Sequence, residues 1–343
     1  MLSTHILPRL APLRTTREPA RVGRRHSLQS ATGGLASSLS DQAPSGAESG
    51  VLQMRDGVQV RFASWRPPGP ARGTMWILQG RADFIEKYYE TIRELLARGF
   101  AVATFDWRGQ GGSERLVADP RLNHVECFAP FVGDLQDIVT KRWFAGLPRP
   151  FHALAHSMGA NVLLQTMARN SGLFASAVLT APMIALAPNL RPDVARMFST
   201  AFAAAGLGQA SIPGGRRNGE VASPFRPDNL LTACPVRYGR AADIVARAPH
   251  LTVGRPTVGW LHAALQAMDA VRNASAITAP VLMVAGDRDR VTSTFAAMAF
   301  CEALPNARAV SLADCAHEVL LETDAVRARF WEAFDLFHSD QAF

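Results

Sequence analysis

Six short apolar runs, separated by segments of helical pattern, limit the fold of this chain more than any other feature. They occupy residues 75–78, 101–105, 152–155, 177–180, 281–285 and 309–312. Apolar runs of this length are typical of strands that are buried on both faces of a parallel sheet. An earlier stretch, in which Val58, Val60 and Phe62 alternate with polar residues, predicts a half-buried strand. The sequence therefore predicts an α/β fold, with a mostly parallel sheet and helices on both of its faces.

The segments between the runs carry the apolar spacing of amphipathic helices. One stripe with the i, i+3, i+4, i+7 spacing consists of Phe128, Phe131, Val132, Leu135 and Ile138. A second stripe, near the C-terminus, consists of Val326, Phe330, Phe334 and Phe337. Asp83, followed three positions later by Glu86, predicts the N-cap of a further helix that runs to about residue 97.

Residues 182–276 break the alternation of strands and helices. The stretch contains helical pieces and repeated prolines, but no run that predicts a strand. An insertion of this length is too long for an ordinary loop. We interpret it as a helical cap over the carboxyl ends of the strands, where sheets of this class bind ligands. The core is thus predicted in two parts, residues 51–181 and 277–343, with the cap inserted before the second part.

Residues 1–50 differ in composition from the rest of the chain. They are rich in Arg, Ser, Gly and Pro and show no lasting apolar period. Three interpretations stay open: a disordered tail, an organellar transit peptide, or a start codon placed too far upstream. We favour a disordered or non-native extension that lies outside the fold.

The net charge of the 343-residue chain is +7, which raises the question of a nucleic-acid partner. The charge is not concentrated as such binding requires. Lysine occurs only at positions 87 and 141, the arginines are spread along the chain, and no basic stripe alternates with aromatic residues. We therefore exclude nucleic acid as a partner. The positive charge favours an anionic lipid or substrate, and peripheral contact with a membrane surface is left open.

The four cysteines include no C-x-x-C pair, which argues against a thiolate zinc site or a disulfide framework. We interpret them as reduced thiols of a cytoplasmic protein. No stretch reaches the ~20 strongly apolar residues that a membrane-spanning helix requires. The sequence carries no signal for an oligomeric state.

The sharpest local motif follows the run 152–155, where the chain reads Ala155-His156-Ser157-Met158-Gly159. A strand, then x-Ser-x-Gly, then a helix is typical of a nucleophile elbow, G-x-S-x-G, here with alanine in the first position. The residues that flank the serine must be small because the turn is very sharp. The hydroxyl is then presented at a helix N-terminus, where backbone N–H groups stabilise an oxyanion. The motif therefore predicts Ser157 as a nucleophile.

A serine nucleophile requires a base and a carboxylate that orients the base. His317 follows the last apolar run, at the edge of the sheet where Ser157 is expected, and is the natural base. Asp287 and Asp289 both follow the preceding run, so either can supply the carboxylate. The two aspartates also match a D-x-D metal motif, but no third ligand accompanies them. Leu321 stands where an H-E-x-x-H zinc site needs its second histidine, so no metal is expected.

Two backbone N–H groups are needed to hold an oxyanion. Met158, directly after the nucleophile, is predicted to supply one of them. Arg81, in the loop after the run 75–78, is predicted to supply the other, because Gly80 lets the backbone approach closely. The Arg81 side chain can also meet an anionic group of a substrate. The glycine-rich stretch 106–113 matches neither a dinucleotide motif nor a P-loop, and we interpret it as a structural turn held by local hydrogen bonds.

From about Val58 to the C-terminal helix, the chain resembles the α/β-hydrolase superfamily, in the branch of bacterial lysophospholipases and monoacylglycerol lipases. The resemblance rests on Leu78-Gln79-Gly80-Arg81, Phe84-Ile85-Glu86-Lys87-Tyr88, Asp106-Trp107-Arg108-Gly109-Gln110-Gly111, the elbow, Gly286-x-x-Asp289 and His317-Glu318. It implies that Asp289 is the catalytic acid and that no cofactor is needed. It also implies a hydrolase of carboxylic esters that acts through an acyl-enzyme, first of all a lysophospholipase. Its helical cap is inserted before the strand that carries the catalytic acid. Trp260, in the part of the cap that shares the resemblance, is implied to bind substrate.

Two departures from the family pattern bear on the substrate, which is expected to be a small lipid or ester. Gln79-Gly80 stands where monoacylglycerol lipases usually have His-Gly, which favours a lysophospholipase, and Ala160 replaces a glycine often found after the elbow. A monoacylglycerol lipase, a small-molecule carboxylesterase and an aminopeptidase stay open as alternatives on the same fold. An aminopeptidase needs acidic cap residues for the free amine of its substrate, and this cap has few. A non-catalytic ligand-binding protein is the alternative from another class.

Overall fold

The computed structural model describes residues 31–340, except 142–143, 145, 213–218, 220 and 273–276. Most of the predicted N-terminal extension, residues 1–30, lies outside the described residues. So do parts of the predicted cap.

A single eight-stranded sheet forms the centre of the molecule. Its strands are β1 (Glu48–Gln53), β2 (Gln59–Trp65), β3 (Thr74–Leu78), β4 (Ala101–Phe105), β5 (Phe151–His156), β6 (Ser176–Thr180), β7 (Val281–Gly286) and β8 (Ala307–Leu312). They are ordered β1-β2-β4-β3-β5-β6-β7-β8. Only the pairs β1–β2 and β2–β4 are antiparallel. Each of the six apolar runs forms a strand, and the predicted mostly parallel α/β sheet is confirmed.

Helices cover both faces of the sheet. They are α1 (Tyr89–Ala97), α2 (Ala129–Thr140), α3 (Met158–Arg169), α4 (Pro192–Ala204), α5 (Pro235–Arg247), α6 (Val258–Arg272), α7 (Thr294–Glu302) and α8 (Asp324–Ser339). Alternate residues of β3 show the two layers. Trp76 packs into a cluster with Phe131 of α2, and Ile77 packs into a second cluster with Phe334 of α8. Both predicted helical stripes are therefore buried against the sheet.

The domain boundary predicted at residue 50 is wrong, because it falls inside β1. β1 pairs with β2 along its whole length, from Glu48 to Gln53. Residues before β1 also contact the core: Tyr89 Oη donates to the Ala36 carbonyl at 2.7 Å, and Trp65 Nε1 donates to the Pro44 carbonyl at 3.0 Å. Backbone carbonyls accept these two hydrogen bonds, so the apolar pattern of residues 31–47 does not predict them.

A second correction concerns the start of the first helix. Asp83 is not an N-cap, since a 3-10 turn (Ile85–Tyr88) precedes α1 and no side chain caps either of them. The Asp83 carboxylate instead accepts a hydrogen bond from the Gly80 backbone N–H at 2.8 Å. The capping pattern is present in the sequence, but tertiary contacts use its carboxylate elsewhere.

The inserted segment between β6 and β7 contains α4, α5 and α6 and, among its described residues, no named strand. α5 has a small core of its own, with Tyr238 and Ile244 packed on Leu251. α6 belongs with the main core instead, because Trp260 and Met268 share the cluster of the sheet and α3. The predicted cap, residues 182–276, thus includes a helix that packs as part of the core. Across the described residues, no helix combines the length and the apolar character needed to span a bilayer.

Acid should destabilise this fold through His152 in β5. Burial, with the nearby charges of His338 and Arg72, lowers the pKa of His152 to about 4. The unfolded chain titrates near the ordinary value of about 6.5, so between pH 6.5 and 4 the unfolded state binds more protons. The contribution of His152 to the free energy of unfolding is therefore fully present above pH 6.5. It falls by about 2–3 kcal/mol as the pH drops to 4. Urea unfolding across this range checks it: His152→Gln should give a shallower decline than the wild-type protein, and parallel declines would contradict the assignment.

Candidate active site

The turn between β5 and α3 is strained at Ser157. This residue has φ 48° and ψ −112°, a conformation that costs a non-glycine residue about 1–3 kcal/mol. Two backbone hydrogen bonds hold it: the Ser157 N–H donates to the Thr180 carbonyl at 3.0 Å, and the Met183 N–H donates to the Ser157 carbonyl at 3.1 Å. Ser157 is thus the N-cap of α3, in the geometry that the elbow motif predicts.

The loop after β3 lies directly against this turn, and Gly159 makes the approach feasible. A Cβ on Gly159 would lie 2.4 Å from the Leu78 carbonyl oxygen and 2.5 Å from that of Gln79. No side chain fits at this distance, so a glycine is required two positions after the serine. The loop that contains Gly80 and Arg81 is therefore held beside Ser157.

Replacement of Gly159 by alanine should separate these two loops. The Cβ would meet backbone oxygens, which cannot move aside as a flexible side chain can. We expect a loss of about 1–3 kcal/mol in the free energy of unfolding, as for overpacked cores, and a loss of esterase activity. Gly133→Ala in α2 is the matched control, since its Cβ would meet nothing within 4 Å. That variant should be at least as stable as wild type, and equal effects of the two variants in thermal unfolding would contradict the argument.

Ser157, His317 and Asp289 form one continuous chain of hydrogen bonds. His317 Nε2 lies 3.0 Å from Ser157 Oγ, and His317 Nδ1 lies 2.8 Å from Asp289 Oδ2. The side chains of His317 and Asp289 are 6% and 0% exposed, so water does not compete for these contacts. The structure thus brings together three residues that lie on separate loops after β5, β7 and β8.

Of the two candidate aspartates, Asp289 contacts His317. Its carboxylate also accepts hydrogen bonds from Thr292 Oγ1 and from the Val291 N–H, both at 2.7 Å. Burial alone would raise the pKa of Asp289, but the charge of His317 and these hydrogen bonds lower it below the ordinary value. Asp287 is exposed and accepts from the Cys315 N–H at 3.3 Å. The ionised carboxylate that faces His317 is therefore that of Asp289.

The loop that contains Arg81 is held in place by Gln110, which the sequence analysis did not single out. Gln110 Nε2 donates to the Gly80 carbonyl at 2.8 Å, and the Ala82 N–H donates to Gln110 Oε1 at 3.2 Å. A glutamine amide can both donate and accept, so one side chain fixes the peptides on both sides of Arg81. The only sequence signal for it is its place within the stretch 106–113.

That stretch is a turn built around Asp106, as expected. The Asp106 carboxylate accepts from the Gly112 N–H at 2.6 Å and from Arg61 Nε at 2.7 Å. A Cβ on Gly111, which has φ +55°, would lie 2.2 Å from the Asp106 carboxyl carbon. The turn therefore positions Gln110.

Arg81 and Trp260, both predicted to bind substrate, contact each other. The Arg81 guanidinium lies 5.6 Å from the centre of the Trp260 ring, and Arg81 Nη1 donates to the Gly254 carbonyl at 3.1 Å. Trp260 is 7% exposed and also packs against Phe128, with ring centres 6.1 Å apart. Trp260 thus supports the Arg81 side chain from the core side.

A buried cluster of charged side chains lies next to His317. Lys87 Nζ donates to Asp83 and, at 2.7 Å, to Glu318 Oε1, while Glu318 Oε2 lies 3.3 Å from His156 Nε2. Burial opposes ionisation of Glu318, but the charges of Lys87 and His156 lower its pKa well below the ordinary range. The Glu318 carboxylate in turn raises the pKa of His156 despite burial. The His156 and His317 rings lie 4.9 Å apart, so this cluster places buried charge beside the proposed base.

The same cluster contains the set of described residues with metal-ligand geometry, namely Asp83, His156 and Glu318. Lys87 already bonds to both carboxylates, so an ammonium group satisfies the charge that a metal would otherwise supply. Sequence reasoning missed the cluster because Lys87 and Glu318 are 231 positions apart. The His-Glu sequence at 317–318 was visible, but it does not indicate a partner.

Comparison with known proteins assigns this chain to a family. Residues 69–324 match the family model described as "Serine aminopeptidase, S33". The chain belongs to this family. The α/β-hydrolase fold expected from the sequence is confirmed, and so is the expectation of a hydrolase.

Curated relatives agree with this assignment, and a solved structure agrees with the fold. The chain is 32% identical over 284 residues to lysophospholipase L2 of Escherichia coli (strain K12), which covers 80% of this chain and 82% of the relative. It is 26% identical to the monoacylglycerol lipase of Mycolicibacterium smegmatis, over 68% of this chain and 76% of that protein. A soluble variant of the Saccharomyces cerevisiae monoglyceride lipase, in complex with a substrate analogue, has a TM-score of 0.69 at 15% identity. That alignment covers 87% of this chain and 97% of the yeast chain, and it supports the fold.

Proposed function

We propose that this protein hydrolyses carboxylic esters through a Ser157–His317–Asp289 triad and that its substrate is a lysophospholipid. The observation that carries the proposal is the unbroken hydrogen-bonded chain from Ser157 Oγ to Asp289, with contacts of 3.0 and 2.8 Å. A strained serine at a helix N-terminus, with a buried base within hydrogen-bonding distance, is the arrangement that acyl transfer requires.

In the first step, Ser157 Oγ attacks the ester carbonyl while His317 Nε2 takes its proton. Asp289 holds the Nδ1–H side of the ring, so the lone pair of Nε2 faces the serine, and it stabilises the imidazolium that forms. His317 then gives the proton to the leaving alcohol, which departs and leaves an acyl-enzyme. Water, activated by the same histidine, hydrolyses the acyl-enzyme and restores the free serine.

The oxyanion of each tetrahedral intermediate would be held by the backbone N–H groups of Met158 and Arg81. Support comes from the contact of the loop after β3 with Gly159 and from the two Gln110 hydrogen bonds on either side of Arg81. Donors that are fixed before the reaction need not reorganise when negative charge develops on the oxygen. Such electrostatic stabilisation is usually the largest single contribution to the rate enhancement.

The choice of lysophospholipid rests on the name of the Escherichia coli relative and on the cationic Arg81 side chain beside the proposed oxyanion site. A monoacylglycerol is the second candidate, supported by the names of the Mycolicibacterium smegmatis and yeast proteins. An aminopeptidase is less favoured, because the cap carboxylates of Asp228 and Asp269 pair with arginines rather than standing ready for a substrate amine. A cytoplasmic location with contact at anionic membranes remains part of the proposal, in line with the net charge of +7.

Fatty-acid release from lysophosphatidylcholine and from a monoacylglycerol of the same acyl chain tests the proposal. A preference for the lysophospholipid supports it, and a preference for the monoacylglycerol moves the protein to the second candidate. Cleavage of p-nitrophenyl acetate alone would leave the triad standing but reject a lipid substrate. If a fluorophosphonate probe does not label Ser157, the protein is a binding module instead.

A further inference from the structure

A cleft of about 720 Å³ lies between the cap and the loop after β4, outside the triad. Its lining includes the apolar residues Val221, Pro224 and Val245 and, in a group that we call the Gly254 end, Arg121, His250 and Gly254. Gly254 joins the cleft to the active site, because its carbonyl accepts from Arg81 Nη1 at 3.1 Å. The cleft therefore begins one arginine side chain away from the proposed oxyanion donors.

A buried cation lies behind this end of the cleft. Arg115 is 1% exposed, and its guanidinium donates to three backbone carbonyls, those of Ser113, Pro120 and His250. Pro120 and His250 are themselves lining residues of the cleft. Carbonyl partners satisfy the N–H groups and the Asp106 carboxylate offsets part of the positive charge, but burial of the guanidinium is still costly. Burial accordingly lowers the pKa of Arg115 to about 10, and it stays charged at neutral pH.

A second arginine offers a direct contact at the same place. The Arg121 side chain is 45% exposed, and the Arg121 carbonyl accepts from the Gly254 N–H at 2.7 Å. Two carboxylates reduce the positive charge of this part of the cleft. Asp119 pairs with Arg121 at 3.0 Å, and Asp243 of α5 accepts from Ser40 Oγ at 2.6 Å. Arg81 and Arg115 donate to carbonyls of the Gly254 end and Arg121 lines it, and three guanidinium groups at one place favour an anion.

We propose that this cleft binds the phosphate ester of the substrate headgroup, with Arg121 as the direct contact and Arg115 as the buried charge behind it. The proposal rests on the proposed function, because only a phospholipid substrate carries such a group. In a lysophospholipid, a glycerol unit separates the scissile ester from the phosphate. The cleft is lined by Gly254, whose carbonyl contacts the Arg81 side chain, so the phosphate would lie beside Arg81.

Arg121→Gln tests the proposal without disturbing a buried residue. We expect KM for lysophosphatidylcholine to rise about fivefold, with kcat within about twofold and monoacylglycerol hydrolysis unchanged, since a partly exposed charge contact is lost. Arg226→Gln is the matched control, because Arg226 is likewise exposed and paired with an aspartate two positions away, Asp228. Asp119→Asn, which removes the competing carboxylate, should lower KM. Equal KM for wild type and Arg121→Gln, or an equal rise in Arg226→Gln, would overturn the headgroup site.

Inhibition of p-nitrophenyl butyrate hydrolysis separates this proposal from the proposed function, because it needs only the triad. We expect sn-glycerol 3-phosphate to inhibit the wild-type protein competitively and Arg121→Gln at least fivefold less, about 1 kcal/mol. Glycerol at the same concentration should not inhibit. If sn-glycerol 3-phosphate inhibits a protein that does not cleave lysophospholipids, the site is supported and the lysophospholipase activity is rejected. Equal inhibition by inorganic phosphate would overturn the headgroup assignment in favour of a free-anion site. If neither compound inhibits, the cleft binds no phosphate and the proposal is overturned.

Discussion

Replacement of Ser157 by alanine should reduce ester turnover by about a million-fold while the protein stays folded. The nucleophile forms the acyl-enzyme, and neither His317 nor the oxyanion donors can replace that bond. The remaining activity should be that of a site that binds substrate and polarises its carbonyl only. The Ser157 hydroxyl contacts His317 and contributes little to packing, so the unfolding temperature should change by only a few degrees.

The measurement is kcat for p-nitrophenyl butyrate, together with labelling by a fluorophosphonate probe. Ser199→Ala is the matched control, since Ser199 is a fully buried serine on α4 with no contact to the triad. It should keep wild-type turnover and wild-type labelling. A Ser157→Ala protein that retains a tenth of the activity would show that the hydrolysis uses another nucleophile.

Replacement of Asp289 by asparagine should lower kcat by about 10⁴-fold. The asparagine amide oxygen must take the Oδ1 position to accept from the Val291 and Thr292 backbone N–H groups, so the amide N–H₂ takes the Oδ2 position that faces His317. His317 Nδ1 would then have to accept rather than donate, which puts the proton on Nε2 and removes the base from Ser157. The lost carboxylate also no longer stabilises the imidazolium in the transition state.

Asp287→Asn is the control that the chain itself provides. Asp287 lies two positions away, follows the same strand and is exposed, but its carboxylate contacts the Cys315 N–H rather than His317. Its variant should stay within about twofold of wild-type kcat, as surface substitutions usually do. The kinetics of the two variants decide the acid: a large loss in Asp287→Asn with little change in Asp289→Asn would reverse the assignment.

The elbow and the base could be read from the sequence because their geometry is local. Ser157 lies between a strand and a helix that contiguous residues predict, and His317 follows the last predicted strand. In a parallel sheet the carboxyl ends of the strands share one edge, so strand order alone places the two near each other. The orienting acid was less certain, because Asp287 and Asp289 follow the same strand. Their side chains differ in direction, and direction depends on the tertiary path of the loop.

Only the tertiary structure could decide the contacts between residues that are far apart in the chain. Lys87 pairs with Glu318, 231 positions away, and Arg115 donates to the carbonyl of His250 on the cap. The local pattern at Asp83 gave a wrong prediction, because the Asp83 carboxylate bonds to Gly80 and Lys87 instead of capping a helix. The sequence by itself therefore determined the sheet and the elbow and predicted the position of His317, which follow from apolar period and strand order. The tertiary structure decided which aspartate contacts His317, which charges lie beside His317 and where the cleft beside Arg81 lies, since each depends on where residues that are distant in the chain come together.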